Sequence, residues 1–415
     1  MSAGTLVVGA SQAGLQLAVS LRELGYTAPI TLIGEEPHAP YQRPPLSKDF
    51  LAGTAGPETL AFRTPAFYRE AGIDLVCGEQ VTDVTLASDA SATGIAGTAS
   101  GRELPFERLA LTVGASARRL TVPGADLAGI CYLRGVDDAT VLRAQLTGAA
   151  RVVVVGGGFI GLEAAAVARS FGASVTVVEA TDRLIGRAVA PVVSEFYRRA
   201  HERRGTAVLT CATVTAFREV EGRVAAVLLS DGTELPADLV VVGVGVIPRT
   251  ELAEKLGLEC DGGIVVDARA RTSEPTVVAA GDCTVLPHPL TGEGRVRLES
   301  VNSAVSQATA AAAAIVGAPD RAPNVPWFWS NQGDLRLQIA GLSTGYDEFV
   351  VRGEPDSEKF AVLYYRAGRL LAVDAVNSPP DYMVVRKALT QGATIPADRA
   401  ADEATPLKQL LMAAA

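Results

Sequence analysis

The sequence predicts an α/β fold with two Rossmann-like dinucleotide-binding domains and a C-terminal α+β domain. Two observations carry the first part. Leu6-Val-Val-Gly-Ala-Ser-Gln-Ala-Gly14 and Val152-Val-Val-Val-Gly-Gly-Gly-Phe-Ile-Gly161 are both apolar strands running into glycine loops, 147 residues apart (Gly9 to Gly156). A third observation carries the rest: beyond Pro323 the pattern changes to short alternating runs, and both tryptophans of the chain fall in Trp327-Phe-Trp329.

The first unit begins with the β-branched run Thr5–Val8. A helical pattern continues over Leu15–Leu24, and Pro29–Gly34 reads as a second strand. Glu35 ends that strand, 21 residues after Gly14, where an acid accepts hydrogen bonds from a ribose hydroxyl. The second unit repeats the order: strand Arg151–Val155, helix Gly161–Phe171, strand Ser174–Val178 and then Glu179, 18 residues after Gly161. No basic residue comes immediately after Glu179, as a 2′-phosphate site would favour, so NADH is expected over NADPH; Arg183 and Arg187 are the nearby cations.

Each loop glycine has a task. The first permits the tight turn, the second lets backbone approach a pyrophosphate, and the third lets helix pack on strand. The helix N-terminus then offers free N–H groups to the phosphates. Ser11 replaces the second glycine of the first loop and narrows the approach. Two such loops with two strand-end acids imply two nucleotide cofactors, usually FAD paired with a nicotinamide dinucleotide.

Three further apolar strands end in glycine turns or an acid: Leu109-Ala-Leu-Thr-Val-Gly-Ala-Ser, Leu239-Val-Val-Val-Gly-Val-Gly-Val-Ile-Pro248 and Val277-Val-Ala-Ala-Gly-Asp-Cys283. Asp282 suits a ribityl chain or pyrophosphate, or a helix cap. An alanine-rich helix is expected from about Ser303 to Val316; its N-terminus would favour negative charge on a reduced flavin. Leu335–Ala340, Glu348–Val351, Phe360–Tyr365 and Leu370–Val376 read as a mostly antiparallel sheet, and Leu407–Met412 as a short helical tail.

The formal charge of −9 argues against nucleic-acid binding. Cys77, Cys131, Cys211, Cys260 and Cys283 form no closely spaced pair, and His38, His201 and His288 show no metal-ligand spacing, so free thiols and no metal are expected. No apolar run reaches spanning length and a strand pattern starts near residue 5, so no membrane and a cytoplasmic location are expected.

Pro40-Tyr-Gln-Arg-Pro-Pro-Leu-Ser-Lys48, Gly156-Gly-Gly-Phe-Ile-Gly-Leu-Glu163, Ala280-Gly-Asp-Cys283, Arg297-Leu-Glu-Ser-Val301 and Pro326-Trp-Phe-Trp-Ser330 give the whole chain a resemblance to the ferredoxin-reductase family of flavoproteins. Members are NADH-dependent reductases that feed 2Fe-2S ferredoxins or rubredoxins, serving bacterial haem monooxygenases and aromatic-ring dioxygenases. The resemblance implies glutathione-reductase-like FAD and NAD domains: residues 1–115 with 245–322 for non-covalent FAD, 116–244 for NAD, and 323–415 as the C-terminal domain. It implies that Ala13, Glu35, Arg43, Lys48 and Val81 contact FAD and that Arg134, Asp282 and Val301 complete its site. Lys48 would lie near the reactive edge of the flavin, paired with Glu163. Phe159 would cover the ring where the nicotinamide stacks, Glu179 would hold the NADH ribose, and Trp329 would lie at the electron-exit side. The candidate cofactor set also takes in Gly9, Ser11, Gly14, Thr112, Gly114, Gly156, Gly158, Ile160, Gly161, Arg187, Gly245 and Gly281. Related disulfide reductases place a cysteine pair early in the chain; Pro44-Pro-Leu-Ser-Lys48 occupies a comparable stretch here.

The implied partner is an acidic 2Fe-2S ferredoxin, with a rubredoxin second, docking on some of Arg295, Arg297, Arg336, Arg386, Lys387 and Lys408. A monomer or weak dimer is expected. Two other readings use the same fold: an FAD- and NADH-binding signalling protein similar to the apoptosis-inducing flavoproteins, and a monodehydroascorbate-reductase-like enzyme.

Overall fold

The computed structural model describes residues 3–87, 93–319 and 324–411. The chain packs as two compact units: Met1–Gln42, Leu60–Ser116 and Ile247–Pro326 form one; Arg43–Thr59, Ala117–Val246 and Trp327–Ala415 form the other.

The first unit is built on a five-stranded parallel sheet. Its order is Val277–Ala279, Arg108–Leu111, Thr5–Val8, Ile30–Gly34, Ile73–Cys77. Thr5–Val8 is central and buried throughout, as a strand covered on both faces must be. Helix Gln12–Glu23 lies on the sheet through Leu15, Leu17, Ala18 and Leu21. Beside it packs helix Val301–Val316, whose Ala304, Ala308, Ala311 and Ala312 are buried in the same core. This helix starts two residues before the expected Ser303, because the Ser300 side chain accepts a hydrogen bond from the Ser303 N–H and caps it.

The second unit repeats the arrangement. Its parallel sheet runs Thr206–Leu209, Ser174–Val178, Arg151–Val155, Leu239–Val242, Ile130–Tyr132, with the glycine-loop strand again central. In both units a three-stranded antiparallel sheet precedes the returning parallel strand: Val81–Leu86, Gly94–Thr98 and Glu103–Phe106 in the first, Val214–Val220, Arg223–Leu229 and Glu234–Pro236 in the second. The duplication therefore extends over the whole module.

The second unit also contains the C-terminal sheet, five antiparallel strands in the order Trp327–Gln332, Leu335–Gly341, Arg369–Val376, Lys359–Arg366, Glu348–Glu354. Helix Pro379–Thr390 covers one face through Tyr382, Val385 and Ala388. The expected helical tail is a single 3-10 turn, Leu407–Leu410, anchored by two buried leucines; Met412 lies outside the described residues.

Candidate active site

In the first unit Gly9 has φ +115°, and a Cβ there would stand 2.2 Å from the Thr112 carbonyl oxygen. A Cβ on Gly14 would stand 2.1 Å from the Gly9 oxygen, so helix and loop touch as the third glycine requires. The Thr112 hydroxyl donates to the carbonyls of Val8 (3.0 Å) and Gly9 (2.9 Å), pinning loop to return strand. Gly281, at φ +93°, brings its Cα to Ala13: a Cβ there would meet the Ala13 side chain at 3.2 Å. The Gly281 N–H donates to Gln307 Oε1 (3.2 Å), and Gln307 Nε2 donates to Ser303 Oγ (2.8 Å). Ala13, in the first turn of one helix, and Gln307, in the second turn of the other, thus converge on one glycine turn. That cradle fits the pyrophosphate of a dinucleotide. Sequence reading missed Gln307, a polar residue at helical spacing with no motif to mark it.

Asp282, next to Gly281, and Val301, the first residue of helix Val301–Val316, are half-buried, while Val81 is buried as the first residue of its strand. Gly114, at φ +66°, accepts from the Arg249 N–H through its carbonyl. Glu35 sits at its strand end as expected, and its carboxylate pairs with Arg249 at 2.5 Å.

In the second unit the cradle recurs. Gly156 has φ +109° and lies against the Gly243 carbonyl; a Cβ on Gly161 would stand 2.1 Å from the Gly156 oxygen. Around Gly158 no atom lies within 4 Å of where a Cβ would be, which is the open approach a pyrophosphate needs. Glu179 Oε2 accepts from the Gly157 N–H (2.7 Å), and its Oε1 accepts from the N–H (2.8 Å) and hydroxyl (2.7 Å) of Thr181. Arg183 is tied to the Gly186 and Val189 carbonyls and to Ser194. Arg187 is exposed, with its guanidinium 3.5 Å from a Cβ position on Gly245, so these two candidates come together. Ile160 is 39 % exposed on the first turn of helix Phe159–Ser170.

The same unit assembles a buried charged cluster. Lys48 Nζ donates to Glu163 Oε2 at 2.6 Å, with side-chain exposures of 14 % and 3 %. Ser47 donates to the same oxygen (2.5 Å), and Ser330 donates to Oε1 (2.6 Å). Lys48 also donates to the Pro44 carbonyl (3.1 Å). Pro44 and Pro45 build the 3-10 turn Pro44–Ser47 that aims Ser47 and Lys48 at Glu163, and Arg43 anchors that turn through a bond to the Arg134 carbonyl (2.8 Å). Phe159, four residues before Glu163, packs on Phe328 with ring centroids 4.6 Å apart. Trp329 stacks on Trp327 (5.3 Å), and the Arg386 guanidinium lies 5.0 Å over the Trp327 ring.

Of the six basic candidates, Arg295 is ion-paired with Glu259 and Arg297 with Glu299. Arg336, Lys387 and Lys408 are exposed in the second unit, on adjoining elements of the C-terminal sheet and its helix. Cys77, Cys131, Cys211, Cys260 and Cys283 are free thiols. Among the described residues no helix is long and apolar enough to cross a membrane, and no group of three metal-binding side chains is found.

Two copies of a dinucleotide-binding module, each with its glycine cradle and strand-end acid, define a two-dinucleotide oxidoreductase. The chain belongs to the pyridine nucleotide-disulphide oxidoreductase family, whose model matches residues 4–308, and it carries a reductase C-terminal domain at residues 327–411. FAD and NAD(H) are the cofactors of this family. Rhodocoxin reductase of Rhodococcus erythropolis is 42 % identical over 97 % of this chain and 93 % of its own. The ferredoxin reductase subunit of a Sphingobium 5,5'-dehydrodivanillate O-demethylase is 41 % identical over 98 % of both. The reductase in the crystal structure of a covalent putidaredoxin reductase–putidaredoxin complex superposes with a TM-score of 0.94 at 38 % identity, covering 98 % of this chain and 97 % of that one. The chain thus has the domain make-up and the kinship of the ferredoxin reductases of oxygenase systems.

Proposed function

We propose that this protein takes hydride from NADH onto FAD and passes the electrons singly to a 2Fe-2S ferredoxin that serves a haem monooxygenase or a ring-hydroxylating dioxygenase. Residues 1–115 with 245–322 hold FAD, 116–244 hold NADH, and 323–415 contribute the docking surface. The observation that carries the reading is a pair of glycine cradles in a chain whose cysteines are all free, with the ion pair Lys48–Glu163 next to Pro44-Pro-Leu in place of a redox dithiol. The kinship with ferredoxin reductases supports release of the electrons one at a time to a carrier outside the chain.

FAD, when bound, supplies two-electron uptake and one-electron release. The protein's own residues do the rest. Ala13, Gly281 and the start of helix Gln12–Glu23 would hold the pyrophosphate. By the family resemblance Lys48 would offer its ammonium to the negative charge of the reduced flavin, and buried Glu163 fixes that ammonium. Gly158 would leave room for the NADH pyrophosphate, and Glu179, which holds the loop through the Gly157 N–H, would take the ribose. Phe159, seated on Phe328, would shield the nicotinamide face from water. Arg336, Arg386, Lys387 and Lys408 meet an acidic partner; Arg295 and Arg297 contribute less, since each already faces a glutamate.

The test is reduction of the purified flavoprotein by NADH without oxygen, read as bleaching of the flavin band, and then ferricyanide to recover the electrons. Full bleaching by one equivalent and return of two electrons support the reading. A protein that binds no FAD, or that NADH leaves oxidised, overturns it.

A further inference from the structure

Ser330, Gln332 and His201 are 0 %, 1 % and 2 % exposed, and the proposed chemistry leaves Gln332 and His201 without a task. Strand Trp327–Gln332 presents Phe328, Ser330 and Gln332 on one face, because side chains alternate along a strand. That face packs on helix Phe159–Ser170. Phe159 meets Phe328 at 4.6 Å, and Glu163, one turn on, meets Ser330, two strand residues on, at 2.6 Å. A four-residue helical step advances about 6 Å and two strand residues about 6.6 Å, so the two elements stay in register across both contacts. Gln332 continues the line: its Nε2 lies 3.3 Å from Ser330 Oγ, and its Oε1 lies 2.8 Å from Nε2 of His201 on helix Pro191–Arg203.

The chemistry fixes every direction. A Glu163 carboxylate only accepts, so the Ser330 hydroxyl gives it its proton. Ser330 Oγ is then left to accept, which requires the amide nitrogen of Gln332 to face it. The Gln332 oxygen therefore faces His201, which must carry its proton on Nε2. Turning the amide over would set two acceptor oxygens against each other. Burial lowers the His201 pKa and keeps the ring neutral, against the raising effect of its bond to Gln332.

We propose that Ser330, Gln332 and His201 are positioning residues, a one-directional hydrogen-bonded relay that locks the Glu163 carboxylate so that Oε2 alone serves Lys48 and Ser47. The proposal rests on the function proposed for Lys48 and Glu163. With Ser330 holding Oε1, the carboxylate cannot rotate, and the Lys48 ammonium stays fixed between Glu163 and the Pro44 carbonyl.

The chain has three histidines, which makes the test tractable by NMR of histidine-labelled protein, with FAD bound and after its removal. His201 shows an Nε2–H tautomer with a slowly exchanging proton. In Glu163→Gln that resonance moves while those of His38 and His288 stay, because the acceptor ending the relay has lost its charge. Ser330→Ala moves it too and slows flavin reduction roughly tenfold, the loss of one hydrogen bond to a charged group. Ser330→Thr, which keeps the hydroxyl, restores the rate to within about twofold of wild type. A His201 resonance unmoved by Glu163→Gln, an Nδ1–H tautomer, or a wild-type rate in Ser330→Ala overturns the relay. If NADH fails to reduce even the wild type, the proposed function falls, while the NMR coupling still decides the relay.

Discussion

Replacing Lys48 with Met strips the charge and keeps the length of the side chain. Glu163 would then be an ionised carboxylate at 3 % exposure with two hydroxyl donors, Ser47 and Ser330, and no counter-ion. Removing one partner of a fully buried pair costs about 3–5 kcal/mol. Here Lys48 keeps 14 % exposure and both hydroxyls remain, so the expected loss is about 2–3 kcal/mol. The kinetic loss is separate. A preorganised cationic donor beside developing charge is worth about a hundredfold or more in rate. Urea unfolding of apoprotein gives the first number, and stopped-flow bleaching by saturating NADH gives the second. Lys48→Arg should recover most of the stability and only part of the rate, because a guanidinium cannot place a point charge where the ammonium stood. A Lys48→Met protein that loses less than about 0.5 kcal/mol and is reduced at the wild-type rate would refute the reasoning, since surface ion pairs behave that way.

Three further outcomes are expected. Asp374 is fully buried and hydrogen-bonded by the Tyr364 hydroxyl, and desolvation pushes its carboxyl up to about 7. A raised folded-state value means that the stability it contributes is complete below about 3.9 and is lost as pH rises through 7, with a ceiling of about 4 kcal/mol. Asp374→Asn removes that slope, so urea midpoints of variant and wild type should diverge in the variant's favour between pH 5 and pH 8; parallel curves count against it. Reversing charge at Arg386 and Lys387 together should slow ferredoxin reduction about tenfold and spare ferricyanide reduction, with equal loss for both acceptors sinking the docking surface. Because Glu179 ends the second strand of its unit and Arg183 is engaged by backbone, kcat/KM for NADH should exceed that for NADPH by roughly tenfold or more, and equal values would contradict the ribose role of Glu179.

Much of this molecule is legible in its sequence because dinucleotide loops are governed by backbone geometry. Gly9, Gly14, Gly156 and Gly161 each stand where a Cβ would collide with a carbonyl, so the chain had few other residues to choose from. Strands such as Thr5–Val8 and Leu239–Val242 fall on the expected residues for a similar reason: buried on both faces, they read as β-branched and aliphatic runs. The antiparallel sheets formed by Val81–Leu86, Gly94–Thr98 and Glu103–Phe106 and by Val214–Val220, Arg223–Leu229 and Glu234–Pro236 do not show themselves, because several of their strands are short and mix buried with exposed positions. Glu35 shows the limit of spacing arguments: its position is as expected, yet Arg249, 214 residues further along the chain, meets it. Ser330, Gln332 and His201 are silent for the same cause. A serine and a glutamine two apart on a strand look like a solvated face until the fold buries them against Glu163.

The central claim concerns where the electrons go. Protein reduced anaerobically with one equivalent of NADH would be mixed with an oxidised 2Fe-2S ferredoxin, and both chromophores monitored in time. Fast, saturable reduction of two ferredoxins per flavin, with the flavin band returning in step, is the expected result. A flavin that stays bleached in a long-lived complex with NAD, passing no electrons to any of several ferredoxins, would contradict the account and favour the signalling alternative.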